Sequence, residues 1–417
     1  MKPSKVELQQ QAGNYQLTVD GKPFYIKGAG LELGSIASLA EYGGNAFRTW
    51  RVNNGEQTGR QILDEAYRHG LMVCMGLDVA RERHGFDYDD PQAVAQQMAA
   101  IKKDIVALKD HPALLMWGIG NELNLRHSNP KVWDAVNDLS KMIHELDPNH
   151  PTTTMLAGAE KEVIELVVGL CPDLDLLSFQ VYGEIDKLPK YLQQSQYKGA
   201  YMITEWGATG HWESPHTDWD RPIEANSSEK AKSYQSRYLN YIVADAQQCI
   251  GSFVFLWGQK QERTPTWYGV FLEHGQSTEA AQVMQYLWTG EWPQQRIPSL
   301  STLTIDGLTA NDNVRLQENQ LYTAQICVDN SDQQALNYHW ELMKEVDRKL
   351  QSDGGDFEPT PDIVWHQSGS NTSQQVEFKA PSAGEYRLFI YISNRYNGSA
   401  TANLPILVES SRTSNTA

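Results

Sequence analysis

Short apolar runs recur from Tyr25 to about Trp288, each followed by a stretch with helical periodicity. The runs are FYIKGAG, NAFRTWRV, LMVCMGLDV, ALLMWGIGNE, TTTMLAGA, LDLLSFQVYG, AYMITEWGA and IGSFVFLWGQ. Between them lie amphipathic segments such as GRQILDEAYRHG, DPQAVAQQMAAIKKDIVALKDHP, VWDAVNDLSKMIHELDP and SSEKAKSYQSRYLNYIVADAQQ. Strands that are apolar without alternation are buried on both faces, the mark of a parallel sheet. Eight such strand–helix units predict a closed (β/α)8 TIM barrel over residues 25–292. A doubly wound open sheet is the alternative. It wants a Gly-rich phosphate loop after its first strand, and KGAGLELG is a poor match.

The flanks have a different rhythm. Residues 1–24 alternate around Asp20–Gly21 and predict a β-hairpin. After WPQQRIPSL the helical periodicity stops. LSTLTIDG, QLYTAQICVDN, LNYHWELM, QQVEFKAP, GEYRLFIYISN and ANLPILVE are strand-like runs separated by polar turns. They predict an all-β, immunoglobulin-like sandwich over 297–409, interrupted by the loop QSDGGDFEPTPD. Residues 410–417, SSRTSNTA, are expected to form a disordered tail.

Composition narrows the partners. The chain of 417 residues carries a net charge of −17, which argues against nucleic acid or an anionic membrane surface. No apolar run reaches the ~18 residues that a membrane span needs. The 12 Trp and 19 Tyr suit a core, and they equally suit a cleft in which pyranose faces stack on indole. Cys74, Cys171, Cys249 and Cys327 form no CxxC pair and are expected to be buried thiols rather than a disulfide frame or a zinc site. The start MKPSKVELQQ is not a secretory signal. The chain reads as cytoplasmic as written, or periplasmic or secreted if a leader has been removed. Oligomeric state is open.

In a (β/α)8 barrel, chemistry sits at the C-terminal ends of the strands. Strand 2 ends near Arg48 and Trp50, strand 3 near Asp78, and strand 4 in Asn121 and Glu122. Strand 6 offers Gln180 and Tyr182, strand 7 Glu205 and Trp206, and strand 8 Trp257. Two carboxylates, Glu122 and Glu205, therefore top strands on opposite sides of one barrel mouth. Glycoside hydrolysis needs such a pair, one protonated to serve the leaving oxygen and one ionised to attack the anomeric carbon. Arg48 is suited to keep its neighbour ionised. The scattered His84, His111, His127, His211 and His216 show no HxH or HExxH spacing, so no metal and no cofactor is expected. Glu56, Glu82 and Glu184 read as solvated loop acids, Glu213 as a surface residue, Trp117 as core, and Asp78 either as a holder of a substrate hydroxyl or as an ion-pair partner of Arg48 or Arg81.

GNE at the end of strand 4 and TEWGA at the end of strand 7 resemble the glycoside hydrolases of clan A. GKPFYIKGAG, GGNAFRTW, LDEAYRHGLMV, HPALLMWGIGNE, DPNHPTTTM and YMITEWGA together resemble the catalytic barrel of glycoside hydrolase family 2 and its family 5 relatives, over about residues 20–290. The resemblance implies a retaining mechanism through a covalent glycosyl-enzyme. It implies Glu205 as nucleophile, Glu122 as general acid/base and Asn121 on the sugar 2-hydroxyl. Arg48 and Tyr182 would orient Glu205, and Trp257 would floor the subsite. Trp50, Gln180 and Trp206 complete the expected substrate-binding set. The chain departs from family 2 in having only a hairpin before the barrel, and from many family 5 enzymes in having Gln180 where they have His.

The loops after strands 2, 3 and 6 look short, so the expected partner is an oligo- or polysaccharide in an open cleft, with β-glucan the first expectation ahead of β-mannan and β-galactan. Hydrolysis and transglycosylation share the intermediate and both stay open. A carbohydrate-binding barrel without catalysis is a further reading. Aldol or metal-assisted lyase chemistry would want a strand Lys or a ligand cluster; Lys27 lies near the end of strand 1 but belongs to no recognisable motif of that kind.

Overall fold

Each apolar run becomes one strand of a closed parallel barrel. The computed structural model describes residues 2–330, 335–352, 354–369 and 373–410. The barrel strands are β1 (Ile26–Gly30), β2 (Ala46–Arg48), β3 (Met72–Leu77), β4 (Leu114–Asn121), β5 (Thr152–Ala157), β6 (Leu177–Gln180), β7 (Tyr201–Glu205) and β8 (Cys249–Val254). Each pairs with its sequence neighbours, and β8 returns to β1 with Gly251 opposite Ile26. Every residue of β2, β4, β6, β7 and β8 is buried, which is why these runs show no polar alternation.

The helix starts follow local chemistry. Thr58 and Gln61 form a reciprocal capping box at the head of Gly59–Arg68, satisfying two otherwise orphaned N–H groups. Asp90 caps Pro91–Leu108 by accepting from the N–H groups of Gln92 and Ala93. The long segment read as one helix after β7 has three geometries. It is α-helical over Ser227–Arg237, widens to a π-helix over Tyr238–Ile242 and tightens to a 3-10 turn over Val243–Asp245. Periodicity alone does not resolve such changes of pitch.

The N-terminal hairpin pairs Val6–Gln11 with Asn14–Val19, followed by the short strand Lys22–Pro23. Besides the expected turn at Asp20–Gly21 there is an earlier one at Ala12–Gly13. Ala12 has φ 52°, a conformation that Ala does not advertise in sequence. Val6 and Leu17 pack with Ile26, Ala46, Leu115, Met116, Met202 and Ile250. Val6 N–H donates to Asn149 O at 2.9 Å, and the Ser4 hydroxyl to Leu114 O at 2.9 Å. The hairpin thus covers the end of the barrel where strands begin and leaves the other end for chemistry.

The chain divides into two compact units, Met1–Gly207 with Ser236–Trp257, and Ala208–Gln235 with Gly258–Ala417. The second contains a β-sandwich. Its larger sheet runs Arg315–Gln317, Ser399–Glu409, Gly384–Asn394, Leu336–Lys344, Ile363–Gly369, and its smaller sheet Thr304–Ile305, Leu321–Gln325, Gln375–Lys379. Trp340, Leu388, Ile390 and Leu404 from the first meet Ile305, Ala324, Val376 and Phe378 from the second in one core. Within this unit the segment Ala208–Gln235 is tied to the sandwich by Arg221–Glu385 and by Asn403 donating to Glu224 at 2.6 Å. The expected disordered tail lies, from residue 411 on, outside the described residues.

Two irregularities shape the strand ends that matter. Between Gly118 and Asn121, β4 carries one more residue than β5, since Gly118 lies opposite Thr153 and Asn121 opposite Met155. Between Ile203 and Glu205, β7 likewise gains a residue on β6, so Glu205 comes level with Gln180. Such bulges re-aim side chains at strand ends. In β4 the kink needs left-handed backbone at Gly120 (φ 74°) and again at Glu122 (φ 51°). A Cβ on Gly120 would stand 2.5 Å from Leu123 Cδ1.

Three of the four cysteines are buried, as expected, but Cys327 is exposed. It follows buried Ile326 on the period-2 alternation of the sandwich, so it points outward. Burial pushes the thiols of Cys74, Cys171 and Cys249 up to about 12.

Two outcomes follow from this architecture. At pH 8 a thiol reagent will modify one cysteine per native chain, Cys327, and all 4 in denaturant, by mass spectrometry. Gly120→Ala will destabilise by roughly 1–2 kcal/mol for left-handed backbone plus roughly 1–3 kcal/mol for displacing Leu123, read as a lower denaturant midpoint.

Candidate active site

The ends of β2, β4, β6 and β7 converge on one carboxylate. Glu205 ends β7 and is 6% exposed. Its Oε1 accepts from Arg48 Nη1 at 3.1 Å, Trp50 Nε1 at 2.9 Å and Gln180 Nε2 at 2.9 Å. Its Oε2 accepts from the Tyr182 hydroxyl at 2.7 Å. Four donors, one of them a guanidinium, are aimed at one carboxyl group and hold both of its oxygens in place.

Arg48 sits at the end of β2 and is 1% exposed. A guanidinium this deep needs compensation from charge and hydrogen bonds together. Besides Glu205, it donates to Thr204 O at 3.2 Å and to Asn121 Oδ1 at 2.6 Å. Gln180 Nε2 also donates to Asn121 Oδ1, at 2.7 Å. With that oxygen committed twice, Nδ2 is the Asn121 atom left to donate to a ligand.

Glu122 follows Asn121 directly and is only partly buried. Its backbone is pinned on both sides. Its N–H donates to Met155 O at 2.9 Å, and its carbonyl accepts from Arg83 Nη1 at 2.8 Å. A non-glycine residue at φ 51° persists only where its surroundings over-determine it.

Part of that over-determination was missed in the sequence. After β3, Arg81 Nε donates to Asn121 O at 3.1 Å, and Arg83 holds Glu122 O. Glu82 between them accepts from Ser128 Oγ at 2.5 Å, Ser128 N at 2.7 Å and Asn129 N at 3.0 Å. The Ser128 hydroxyl, then the two backbone N–H groups, bring the Glu82 carboxyl down to about 2. Glu82 is therefore not merely a solvated loop acid; it fastens the loop after β3 to the loop after β4. The only available signal was the basic–acidic–basic order of Arg81, Glu82 and Arg83 at a strand exit. Asp78 is paired with Arg81 at 3.7 Å and is largely exposed.

Phe255 was also missed. Its ring meets the edge of Trp50 at 5.8 Å and of Tyr182 at 5.9 Å between centroids. Trp206 and Trp257 are fully buried. Trp206 lies against Tyr238, while Trp257 donates to Ser38 Oγ at 2.9 Å and meets Tyr42 edge-on. Trp117 is core, its indole bonded to Asp147 Oδ2 at 2.8 Å. In the other compact unit Trp212 is exposed, and Trp267 is buried with its indole on Thr209 O. Glu213 accepts from Gly210 N at 2.9 Å, closing its own turn. Among the described residues, no group of three or more His, Cys, Asp or Glu is placed to hold a metal, and no helix is long and apolar enough to cross a membrane.

The chain is similar to known proteins over the barrel. A β-glucuronidase of Streptococcus agalactiae is 24% identical over 247 residues, 49% of this chain and 41% of that protein. A β-galactosidase of Photobacterium profundum is 26% identical over 177 residues, 38% of this chain and 16% of that one. Among solved structures, Bacteroides uniformis β-glucuronidase 2, covalently bound to cyclophellitol-6-carboxylate aziridine, has TM-score 0.53 at 14% identity. It covers 97% of this chain and 48% of that one. Bifidobacterium dentium β-glucuronidase, complexed with coumarin-3-O-glucuronide, has TM-score 0.54 at 19% identity, covering 70% and 50%. At these identities the structures share the fold, and the chain spans about half their length or less. The family model "Glycosyl hydrolases family 2, TIM barrel domain" matches residues 45–262, more than half of the chain, and the chain therefore belongs to glycoside hydrolase family 2.

Proposed function

We propose that the chain is a retaining β-glycosidase with Glu205 as nucleophile and Glu122 as general acid/base. The observation that carries this reading is the carboxylate of Glu205, buried and surrounded by Arg48, Trp50, Gln180 and Tyr182 as donors. An anion fixed at a barrel mouth is the group that double displacement at an anomeric carbon requires. Asn121, with Oδ1 held by Arg48 and Gln180, offers Nδ2 to the sugar 2-hydroxyl. Glu122, more open to solvent than Glu205, meets the leaving oxygen first and water second.

The relatives are named for β-glucuronides and β-galactosides. These head the substrate panel, joined by β-glucan oligosaccharides on the reading of an open cleft. The shared chemistry is a β-linked pyranoside whose anomeric carbon can be approached by Glu205.

Proton NMR of the first-formed sugar will show the β-anomer, with the α-anomer arising later by mutarotation. First release of the α-anomer would contradict double displacement. Glu122→Gln will slow glycosides with poor leaving groups by roughly 10²–10⁴, and activated aryl glycosides far less in the first step, since only the former need its proton. Equal slowing of both would remove Glu122 from the acid role.

A further inference from the structure

We infer that the Trp50 indole N–H is a catalytic donor to the nucleophile, acting chiefly when the covalent sugar–enzyme bond breaks. The inference rests on the proposal that Glu205 is that nucleophile. Trp50 was expected to face sugar. Its Nε1 instead donates to Glu205 Oε1 at 2.9 Å.

The ring is held from several sides. The Arg48 guanidinium lies over it at 4.6 Å from the centroid, which takes one face from any stacking sugar. Phe255 packs at its edge. On β1, a Cβ added at Gly30 would come within 2.7 Å of Trp50 Cη2, so glycine there makes room for the indole.

The two oxygens of Glu205 are unequally served. Oε1 takes three donors, Arg48, Trp50 and Gln180, which use up its lone pairs. Among the described residues Oε2 takes one, Tyr182, and keeps a lone pair to attack. In the first step Oε2 bonds to the anomeric carbon, the bond to the leaving oxygen breaks, and that oxygen takes the proton of Glu122. In the second, Glu122 takes a proton from water as the water oxygen bonds to the anomeric carbon. In the same step the carbon–Oε2 bond breaks, and its electron pair returns to the carboxylate, where the charge spreads onto Oε1. Hydrogen bonds to an ion are stronger than to an ester carbonyl. The Trp50 bond therefore weakens as the ester forms and strengthens as the ester departs. It favours the second step over the first.

The test is Trp50→Phe, alongside replacement of Trp50 by its benzothiophene analogue, which keeps the ring shape and lacks the N–H. The substrate is an activated aryl β-glycoside on which the wild type is active. Both variants should lower kcat on the order of tenfold, the kinetic share of one charge-assisted hydrogen bond. KM should fall with kcat, kcat/KM should change by less than about threefold, and glycosyl-enzyme should accumulate in intact-mass spectra of the quenched steady state. A raised KM at unchanged kcat would mark Trp50 as a sugar platform and overturn the inference. So would an equal loss in kcat and kcat/KM without accumulation, or normal kinetics in the benzothiophene variant. A wild type that turns over no β-glycoside would instead bring down the functional reading, and this inference with it.

Discussion

The buried guanidinium of Arg48 is the contact on which the candidate site depends. It joins the ends of β2, β4 and β7 by donating to Asn121 Oδ1, Thr204 O and Glu205 Oε1. An unpaired charge at such depth is strongly destabilising, and removing one partner of a buried pair leaves the other exposed to that penalty. Arg48 and Glu205 therefore need each other; Asn121 Oδ1 accepts from the second guanidinium nitrogen, and Gln180 Nε2 donates to both Asn121 Oδ1 and Glu205 Oε1. Hydrogen bonds that tie several strand ends to shared atoms hold such a network rigid. Rigidity is what a nucleophile requires if it is to meet a small moving target such as an anomeric carbon.

That network can form only because two strands break register. A regular β7 would not bring Glu205 level with Gln180, and a regular β4 would not deliver Asn121 and Glu122 together at the mouth. The bulges before Asn121 and Glu205 turn continuous apolar strands into polar ends within two residues. Gly120 supplies the left-handed turn, and the Arg81–Glu82–Arg83 segment holds its product in place from the neighbouring loop. The pairing of a fully buried strand with a reactive terminus is thus built by backbone geometry.

The eight barrel strands were legible because burial on both faces leaves an apolar run that side chains cannot disguise. The positions of Glu122 and Glu205 followed from the rule that barrel chemistry lies at strand ends, and the family resemblance rested on the same residues. What stayed hidden depends on backbone and on contacts distant in sequence. The Glu82 clamp spans 46 residues to Ser128, and no local pattern marks it. The direction of the Trp50 indole depends on Arg48 beside it and on Gly30 and Phe255, which come from the ends of β1 and β8. Cys327 was read as buried together with the other three; register within the sandwich decides that it faces out. The grouping of the loops after β7 and β8 with the sandwich residues rests on ion pairs such as Arg221–Glu385, invisible to periodicity.

The central claim is that Glu205 forms a covalent bond to the sugar. Brief exposure to activated 2-deoxy-2-fluoro β-glycosides from the substrate panel, followed by proteolysis and peptide mass mapping, tests it directly. The account predicts one sugar per chain, attached at Glu205 in the peptide that spans YMITEWGA. A sugar attached at any other residue, or no adduct from a glycoside that the protein demonstrably hydrolyses, would contradict it.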